Sequence, residues 1–330
     1  MRSAAIVMRE YGGPDVLRLE DVDVAETGPD EVRIRVLASA VNHSDLEVRA
    51  GRWPVRGAEP FPYVPGIETV GAVDEAGSGV DPAYVGANVV TMMQGLGGVR
   101  AERAGGYAEH VTVAADAVAF VPADVDPLAV AAVGLAGVTA YEGLRRLGPV
   151  AGKRVVVTGA SGGVGSAAVA LACALDAAEV VAVVSRPERA GYVRSLGADR
   201  IVVTSESDLG EALGRRSVDR VLDTVGGPLF PACVAALRSG GGLCSVGSVA
   251  GPDVGFNVDS LLLPVTLTGY GSEALDGPAL RAAMTTICTL LAVDELAVPA
   301  ITQMPLADAA AAHRLLEQRG LQGRVLLIPA

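Results

Sequence analysis

Residues 154–165 read Arg-Val-Val-Val-Thr-Gly-Ala-Ser-Gly-Gly-Val-Gly, and this segment is the strongest indication of the fold class. The β-branched run Arg154–Val157 predicts a buried strand, and the Ala-rich segment Gly165–Leu175 predicts a helix. Between them, Gly162 lets a phosphate approach the backbone, while Gly165 allows the helix and the strand to pack closely. Since the free N–H groups at a helix start attract phosphate, the turn predicts a dinucleotide site. The alternative is an ordinary strand-to-helix turn.

Strands and helices continue to alternate after this turn. Further strands are predicted at Val180–Val184, Arg200–Val203, Asp219–Asp223 and Gly242–Val246, with helices at Arg189–Leu196 and Pro231–Leu237; a helix at Leu128–Leu147 precedes the turn. This alternation is typical of a doubly wound parallel sheet that helices cover on both faces, the Rossmann arrangement.

The two ends of the chain follow a different pattern. Val32–Val36 alternates apolar and charged residues, which indicates a half-buried strand, and Asn88–Met93 and Tyr107–Val113 are further predicted strands. A helix at Leu306–Arg319 and a strand at Arg324–Ile328 close the chain. With 330 residues, two domains are expected. We predict a β-rich domain from residues 1–125 and 271–330, and a dinucleotide-binding domain from residues 126–270.

The second strand of the Rossmann pattern indicates which dinucleotide binds. An NAD site usually carries an acid here to bind the ribose 2′-hydroxyl. This chain has Ser185-Arg186-Pro187-Glu188-Arg189 instead. A hydroxyl and two guanidinium groups suit a 2′-phosphate, so Ser185, Arg186 and Arg189 predict NADPH as the cofactor. The alternative is that both arginines are simply solvated.

Composition excludes several classes of function. The net charge of −12 disfavours nucleic-acid binding. The longest apolar run, Ala129–Tyr141, is shorter than a membrane span requires, and the N-terminus shows no secretory pattern. The four cysteines are far apart in sequence, which favours reduced thiols over disulfides or a zinc knuckle. These features predict a cytoplasmic protein with no nucleic-acid partner and no membrane association.

Eight short segments in order give the chain a recognisable signature. They are Val41-Asn42-His43-Ser44-Asp45, Pro65-Gly66-Ile67-Glu68 with Val70-Gly71, Gly77-Ser78-Gly79-Val80, Gly105-Gly106-Tyr107-Ala108-Glu109, Ala136-Gly137-Val138-Thr139-Ala140-Tyr141, Gly162-Gly163-Val164-Gly165, Asp223-Thr224-Val225-Gly226-Gly227 and Gly323-Arg324-Val325. Over nearly its whole length the chain resembles the medium-chain dehydrogenase/reductase superfamily, and most closely its zinc-free quinone oxidoreductase branch.

The resemblance carries expectations about architecture and metal. It implies a GroES-like substrate domain joined to the Rossmann domain, an active site in the cleft between them, and a homodimer formed through the stretch near Leu267–Gly271. Zinc-dependent members have a cysteine where this chain has Asn42 and a histidine where it has Ile67. Since two zinc ligands are missing, no metal site is expected. His43 and Glu68 are then expected to be structural.

The resemblance also suggests candidate residues and a reaction. Without zinc, the chemistry favours acceptors that take hydride readily, namely quinones and conjugated carbonyl compounds. Asn42 is expected beside the nicotinamide ribose or the substrate carbonyl, with a loop-stabilising amide as the alternative. Trp53 stands where related enoyl reductases often have a proton-donating tyrosine, so it would form a flat wall for a planar substrate or simply pack in the core. Tyr63 is an alternative proton donor. Ser44-Asp45-Leu46-Glu47 matches a capping box at a helix start.

The expected cofactor-binding set lies mainly at the ends of the Rossmann strands. It comprises Thr139, Ser161, Gly162, Gly163, Val164, Ser185, Arg186, Arg189, Thr204, Asp223, Val225, Val246, Gly247, Ser248, Tyr270 and Arg324.

Three hypotheses follow for function. The first is an NADPH-dependent quinone reductase of broad specificity. The second is an enone or enoyl reductase in an aromatic or polyketide biosynthetic pathway. The third is a non-catalytic, NADPH-binding structural protein, because a fold alone does not establish a function.

Overall fold

The computed structural model describes residues 1–53, 61–93, 95–96, 103–205, 207–318 and 320–330. The chain forms two compact units. The first contains Met1–Leu135, Glu273–Ala292 and Ala300–Ala330, and the second contains Ala136–Ser272 and Val293–Pro299. The predicted division has boundaries after residues 125 and 270. The two units instead divide after Leu135 and Ser272, and Val293–Pro299 belongs to the second unit.

The strands are numbered along the chain within the described residues. They are β1 (Arg2–Val7), β2 (Arg18–Asp23), β3 (Glu31–Ala40), β4 (Glu68–Ala76), β5 (Asn88–Met92), β6 (His110–Ala114), β7 (Val118–Phe120), β8 (Arg154–Val157), β9 (Glu179–Val184), β10 (Arg200–Val203), β11 (Val218–Asp223), β12 (Leu237–Ser245), β13 (Thr266–Gly269), β14 (Ile301–Pro305) and β15 (Arg324–Ile328).

The helices are numbered in the same way. They are α1 (His43–Arg49), α2 (Pro127–Arg146), α3 (Gly163–Ala174), α4 (Ala190–Ser195), α5 (Leu209–Leu213), α6 (Phe230–Ala236), α7 (Gly277–Ala292) and α8 (Ala309–Glu317). The last predicted helix therefore starts with a 3-10 turn at Leu306–Asp308, and Arg319 lies outside the described residues.

The second unit contains the predicted parallel sheet. Its strand order is β10-β9-β8-β11-β12-β13, and every neighbouring pair is parallel. The valines of β8 are completely buried, because a sheet covered on both faces has no polar side. The order reverses between β8 and β11, and ligands bind such sheets at the carboxyl ends of the strands beside this reversal. The predicted Rossmann fold is confirmed.

The first unit is β-rich, as predicted. β1 and β2 form an antiparallel pair, and β3 is central to a larger sheet that also contains β4, β5, β6, β7, β14 and β15. The two chain ends meet in this sheet, since β15 pairs with β3 through Leu326 and Leu327. This pairing brings the Arg324 end of β15 close to Asn42, which follows β3 directly.

Helix α1 corrects the predicted capping box. Ser44 and Glu47 were expected to cap a helix start, but the helix begins at His43 and its N-cap is Asn42. The Asp45 carboxylate accepts the Asn42 backbone N–H at 2.8 Å, as the last residue of a capping box does. The cap therefore lies two residues earlier in the sequence than predicted. Glu47 instead binds Arg52 through two bonds of 2.7 and 2.8 Å.

Helix α2 is long and apolar but belongs to the core. Its 20 residues satisfy the length and hydropathy of a membrane span, although the apolar run Ala129–Tyr141 alone is too short for one. However, 78% of its most apolar window is buried inside the protein. The helix is kinked at Gly134, where φ is +33°. Within the described residues, no other helix is long and apolar enough to cross a membrane.

Candidate functional site

The glycine turn between β8 and α3 presents unpaired backbone donors. Gly162 is the N-cap residue of α3, and no side chain caps this helix. The first N–H groups of a helix have no partner within it, so those of Gly163 and Val164 are available. Ser161 to Val164 are also partly or fully exposed. The turn therefore offers donors and a positive helix end to an anion.

The two glycines that begin α3 have different surroundings. A Cβ at Gly165 would lie 2.2 Å from the Gly159 oxygen, so this position excludes any side chain. A Cβ at Gly162 would meet only the Gly159 oxygen, at 3.3 Å. Gly165 is therefore required for packing, as expected. Gly162 leaves its outer side open, as the approach of a phosphate requires.

A buried clasp joins β8 to β11 at the reversal of the strand order. The Thr158 hydroxyl donates to Asp223 Oδ1 at 2.6 Å and accepts from the Thr224 N–H at 3.0 Å. The same carboxylate accepts the N–H groups of Val225 and Gly226. Since Asp223 is completely buried, its side chain shapes the turn, and the partly exposed Val225 contributes to the surface.

The predicted 2′-phosphate residues follow the end of β9. Ser185 and Arg186 are exposed, and Arg189 is half-buried. Thr204 lies beside them, because its N–H donates to the Val184 oxygen at 2.9 Å. The segment thus places a hydroxyl and a guanidinium group at the surface, with no carboxylate at the strand end itself.

The remaining candidates of this unit follow the next strand ends. The Val246 N–H donates to the backbone carbonyl oxygen of Asp223 at 2.8 Å. This bond sets the backbone of Val246, Gly247 and Ser248 beside the clasp. Tyr270 follows β13, and Arg146 stacks over its ring at 4.4 Å. Thr139 lies in α2 and is 7% exposed. Apart from Thr139, every candidate of this unit lies at the carboxyl edge of the sheet or at the turns following it.

The first unit brings Asn42 and Arg324 together around Glu68. Arg324 donates to Asn42 Oδ1 and to Glu68 Oε1, both at 2.9 Å, and Asn42 Nδ2 donates to Glu68 Oε1 at 2.7 Å. Each of the three residues is less than a tenth exposed. Burial raises the pKa of Glu68, and the Arg324 charge opposes that effect.

A second buried polar chain adjoins this cluster. Arg49 contacts His313 Nδ1 at 3.3 Å, and His313 Nε2 contacts the Tyr107 hydroxyl at 3.2 Å. Because arginine only donates, Nδ1 accepts and Nε2 carries the proton. Burial raises the pKa of Asp45 to about 7, while burial and Arg49 lower the pKa of His313 to about 3. His313 is therefore a neutral structural residue near pH 7.

The two aromatic candidates lie in the same apolar cluster of the first unit. Trp53 is half-buried against it, so part of the indole remains accessible. Tyr63 is a member of the cluster and is 4% exposed. Burial and the nearby Asp45 charge raise the pKa of Tyr63, which makes its hydroxyl a weaker acid. The position of Tyr63 does not favour a role as proton donor.

The side chains do not offer a metal site in the described part of the chain. No group of three or more histidine, cysteine, aspartate or glutamate residues there is arranged to hold a metal ion. Glu68 is bonded to Asn42, Arg324 and the Leu135 N–H instead.

Sequence reasoning missed two features of these sites. The first is the clasp between Thr158 and Asp223. Its one local signal is the hydroxyl of Thr158, which immediately follows β8. The hub role of Glu68 had no local signal, because Leu135 and Arg324 are 67 and 256 positions away.

Comparison with family models matches both units. Residues 28–123 match the alcohol dehydrogenase GroES-like domain, and residues 163–284 match the zinc-binding dehydrogenase family. The first match covers β3 to β7, and the second begins with α3.

Individual relatives extend the similarity to the whole chain. A quinone oxidoreductase of Pseudomonas aeruginosa is 31% identical over 97% of each chain. The chloroplastic NADPH-dependent alkenal/one oxidoreductase of Arabidopsis thaliana is 33% identical over 78% of this chain and 66% of that protein. Among solved structures, Escherichia coli quinone oxidoreductase complexed with NADPH superposes with a TM-score of 0.85 at 28% identity, over 99% of this chain and 100% of that one.

Proposed function

This chain belongs to the medium-chain dehydrogenase/reductase superfamily, in its quinone oxidoreductase-like branch, and we propose that it is an NADPH-dependent reductase of quinones and conjugated carbonyl compounds. The observation that carries the proposal is the uncapped start of α3, followed one strand later by exposed Ser185 and Arg186. Its similarity to a quinone oxidoreductase over nearly full length supports the same reaction.

The second unit fits NADPH by the chemistry of its donors. The N–H groups of Gly163 and Val164 are proposed to bind the pyrophosphate, and the open side of Gly162 admits it. Ser185, Arg186, Arg189 and Thr204 are proposed to bind the 2′-phosphate. The clasp of Asp223 and Thr158 fixes the adjoining turn, where Val225, Val246, Gly247 and Ser248 are proposed to bind the nicotinamide half; Thr139 and Tyr270 complete this set.

The first unit is assigned to the acceptor. When bound, NADPH supplies a hydride. An enone would accept a hydride at its β-carbon and a proton at its α-carbon, and a quinone would accept a hydride and a proton to give a hydroquinone. We assign Asn42 to hydrogen bonding of the acceptor carbonyl or the nicotinamide ribose, Arg324 to holding Asn42, and Trp53 to a planar wall. Water is the proposed proton source, since Tyr63 is buried.

The proposed reaction is independent of a metal ion. Asn42 and Ile67 occupy two positions where zinc-dependent relatives have ligands, and the remaining Glu68 is bonded to other groups. We expect no stoichiometric zinc by elemental analysis of the purified protein. Activity is expected to be unchanged after dialysis against a chelator, and activity restored only by added zinc would contradict this assignment.

We further propose a cytoplasmic homodimer. β13 is the last strand of the parallel sheet, so one side of its backbone has no partner strand among the described residues. The 3-10 turn preceding it exposes Val258 and Leu262, which are 69% and 83% exposed. Pairing of two β13 edges would satisfy the free backbone groups of the strand, and the exposed side chains of the turn are proposed to belong to the same interface.

An acceptor panel tests the proposed function. NADPH oxidation would be followed at 340 nm with quinones, with enones and with enoyl thioesters. Turnover of quinones or simple enones supports the proposal. Similarity to the Arabidopsis thaliana NADPH-dependent alkenal/one oxidoreductase supports enones as the second candidate class of acceptor. Tight NADPH binding without turnover of any acceptor would support a structural role instead.

A further inference from the structure

Glu68 receives hydrogen bonds from three separate donors inside the first unit. Oε1 accepts from Asn42 Nδ2 at 2.7 Å and from Arg324 at 2.9 Å, and Oε2 accepts the Leu135 N–H at 2.6 Å. All three partners are donors, and each carboxylate oxygen is an acceptor. A glutamine here would have to turn its own NH₂ group towards one of these donors, so only a carboxylate satisfies every contact.

This arrangement fixes which way the Asn42 amide points. Arg324 only donates, so the amide atom facing it at 2.9 Å must be the oxygen. Glu68 accepts, so the atom facing it must be the nitrogen. A flipped amide would turn a donor towards Arg324 and an acceptor towards a carboxylate. The orientation of Asn42 is therefore specified from both sides.

One hydrogen of this amide is only weakly engaged. Asn42 Nδ2 contacts the Ala40 oxygen at 3.4 Å, which is long for an N–H···O bond. The other Nδ2 hydrogen is bound to Glu68, and Oδ1 already accepts from Arg324. The fixed amide thus retains one N–H donor whose present hydrogen bond is weak.

The kink of α2 holds Glu68 in its place. Gly134 has a φ of +33°, and a Cβ at this position would lie 2.0 Å from Glu68 Oε2. The kink frees the Leu135 N–H from helical bonding, and the carboxylate accepts it. Because the contact depends on a glycine and on a backbone group, Glu68 has little freedom to move.

We propose that Glu68 is the positioning residue of the acceptor site: it locks the Asn42 amide so that Asn42 offers an N–H donor to the carbonyl oxygen of the acceptor. This rests on the proposed function, and on the first of the two contacts proposed there for Asn42, the acceptor carbonyl. It gives the Glu68 carboxylate a role that requires no metal ion. Its role is to orient a neutral amide.

The test separates orientation from turnover by using the asparagine side chains. The chain has three asparagines, Asn42, Asn88 and Asn257, so selective ¹⁵N-asparagine labelling gives three side-chain NH₂ signals, each a pair of cross-peaks at one ¹⁵N shift. The Asn42 signal is assigned by its loss in Asn42→Ser. Glu68→Gln and Glu68→Ala are then compared with the full-length parent protein. Asp219→Ala is the matched control, because Asp219 is also buried, accepts a backbone N–H and pairs with an arginine.

We expect the Asn42 signal to shift or broaden in both Glu68 variants and to stay unchanged in Asp219→Ala. We also expect kcat for the preferred acceptor to fall about tenfold or more in Glu68→Gln, as for one misplaced transition-state hydrogen bond. NADPH affinity should stay within about twofold, since the amide contact is proposed for the acceptor. Glu68→Asp, which restores a carboxylate, should recover part of the loss.

Two results would overturn the proposal. An Asn42 signal that is unperturbed in Glu68→Gln would show that Glu68 does not orient the amide. A perturbed signal with parental kcat would show that the orientation has no bearing on turnover. If the parent turns over no acceptor at all, the proposed function fails, and the amide signals alone then show whether Glu68 orients Asn42.

Discussion

His313 connects the buried polar chain of the first unit to acid stability. Its Nδ1 faces Arg49 and its Nε2 faces Tyr107, and no solvent reaches the ring. Burial and Arg49 lower its pKa to about 3, so the folded protein resists protonation there. In the unfolded chain the pKa returns to about 6.5, and the unfolded state takes up the proton.

The free energy of unfolding should therefore fall as the pH falls below about 6.5. We expect the stability advantage of the parent over His313→Gln to shrink by about 2 kcal/mol between pH 7.5 and pH 5. Asp45 acts in the opposite direction, because its raised pKa favours the folded state on acidification. Since Asp45 is present in both proteins, its effect is common to both sides of the comparison. Urea unfolding monitored by Trp53, the single tryptophan, measures the difference. If the stability difference between the parent and His313→Gln does not change with pH, His313 does not have a lowered pKa in the folded protein.

At the scale of elements, the turn before α3 separates a packing glycine from a binding glycine. In Gly165→Ala, the new methyl group would lie 2.2 Å from the Gly159 oxygen, so we expect a loss of stability of about 2 kcal/mol or more and a loss of NADPH binding. In Gly162→Ala, the nearest contact is 3.3 Å, so the melting temperature should change little while NADPH affinity falls.

Gly191→Ala is the matched control for this pair. Gly191 lies in α4, and a Cβ there would meet no atom within 4 Å. Differential scanning fluorimetry and cofactor titration should show Gly191→Ala equal to the parent or slightly more stable. Equal losses of NADPH affinity and stability in Gly162→Ala would refute the open side of the turn.

The elements also show how far the sequence predicts the structure. β8, β10 and β15 have the predicted bounds, because short β-branched or apolar runs between turn residues leave little choice. The start of α1 was predicted wrongly, because Asn42 and Asp45 form the same spaced pattern as Ser44 and Glu47 two residues later. Local spacing could not decide between two overlapping caps.

The polar clusters depend on contacts that no local pattern contains. Arg324 reaches Asn42 across 282 positions, and Arg49 reaches His313 across 264. These pairs form because β15 returns beside β3 and α8 packs against α1. The resemblance to a known family identified Asn42 and Arg324 as candidates, but only the fold shows that Glu68 joins them.

At the scale of the whole molecule, the exposed edge of the parallel sheet predicts self-association. We expect sedimentation equilibrium to give twice the chain mass of 33.4 kDa. Leu262→Asp should weaken the dimer, because it replaces an exposed apolar side chain of the turn before β13 with a charge. Leu19→Asp is the control, since Leu19 is an exposed leucine on β2 in the other unit. A parent that sediments as a monomer would contradict the proposed assembly.

Cofactor selectivity tests whether Arg186 and Arg189 bind the 2′-phosphate of NADPH. Dissociation constants for NADPH and NADH would be measured by fluorescence titration for the parent and for the double variant Arg186→Ala/Arg189→Ala. We expect the parent to prefer NADPH by at least about tenfold, as for one or more charge-assisted bonds to the 2′-phosphate. The double variant should bind NADH as the parent does and lose the preference. Equal affinities in the parent, or a preference that survives both substitutions, would contradict this role of Arg186 and Arg189.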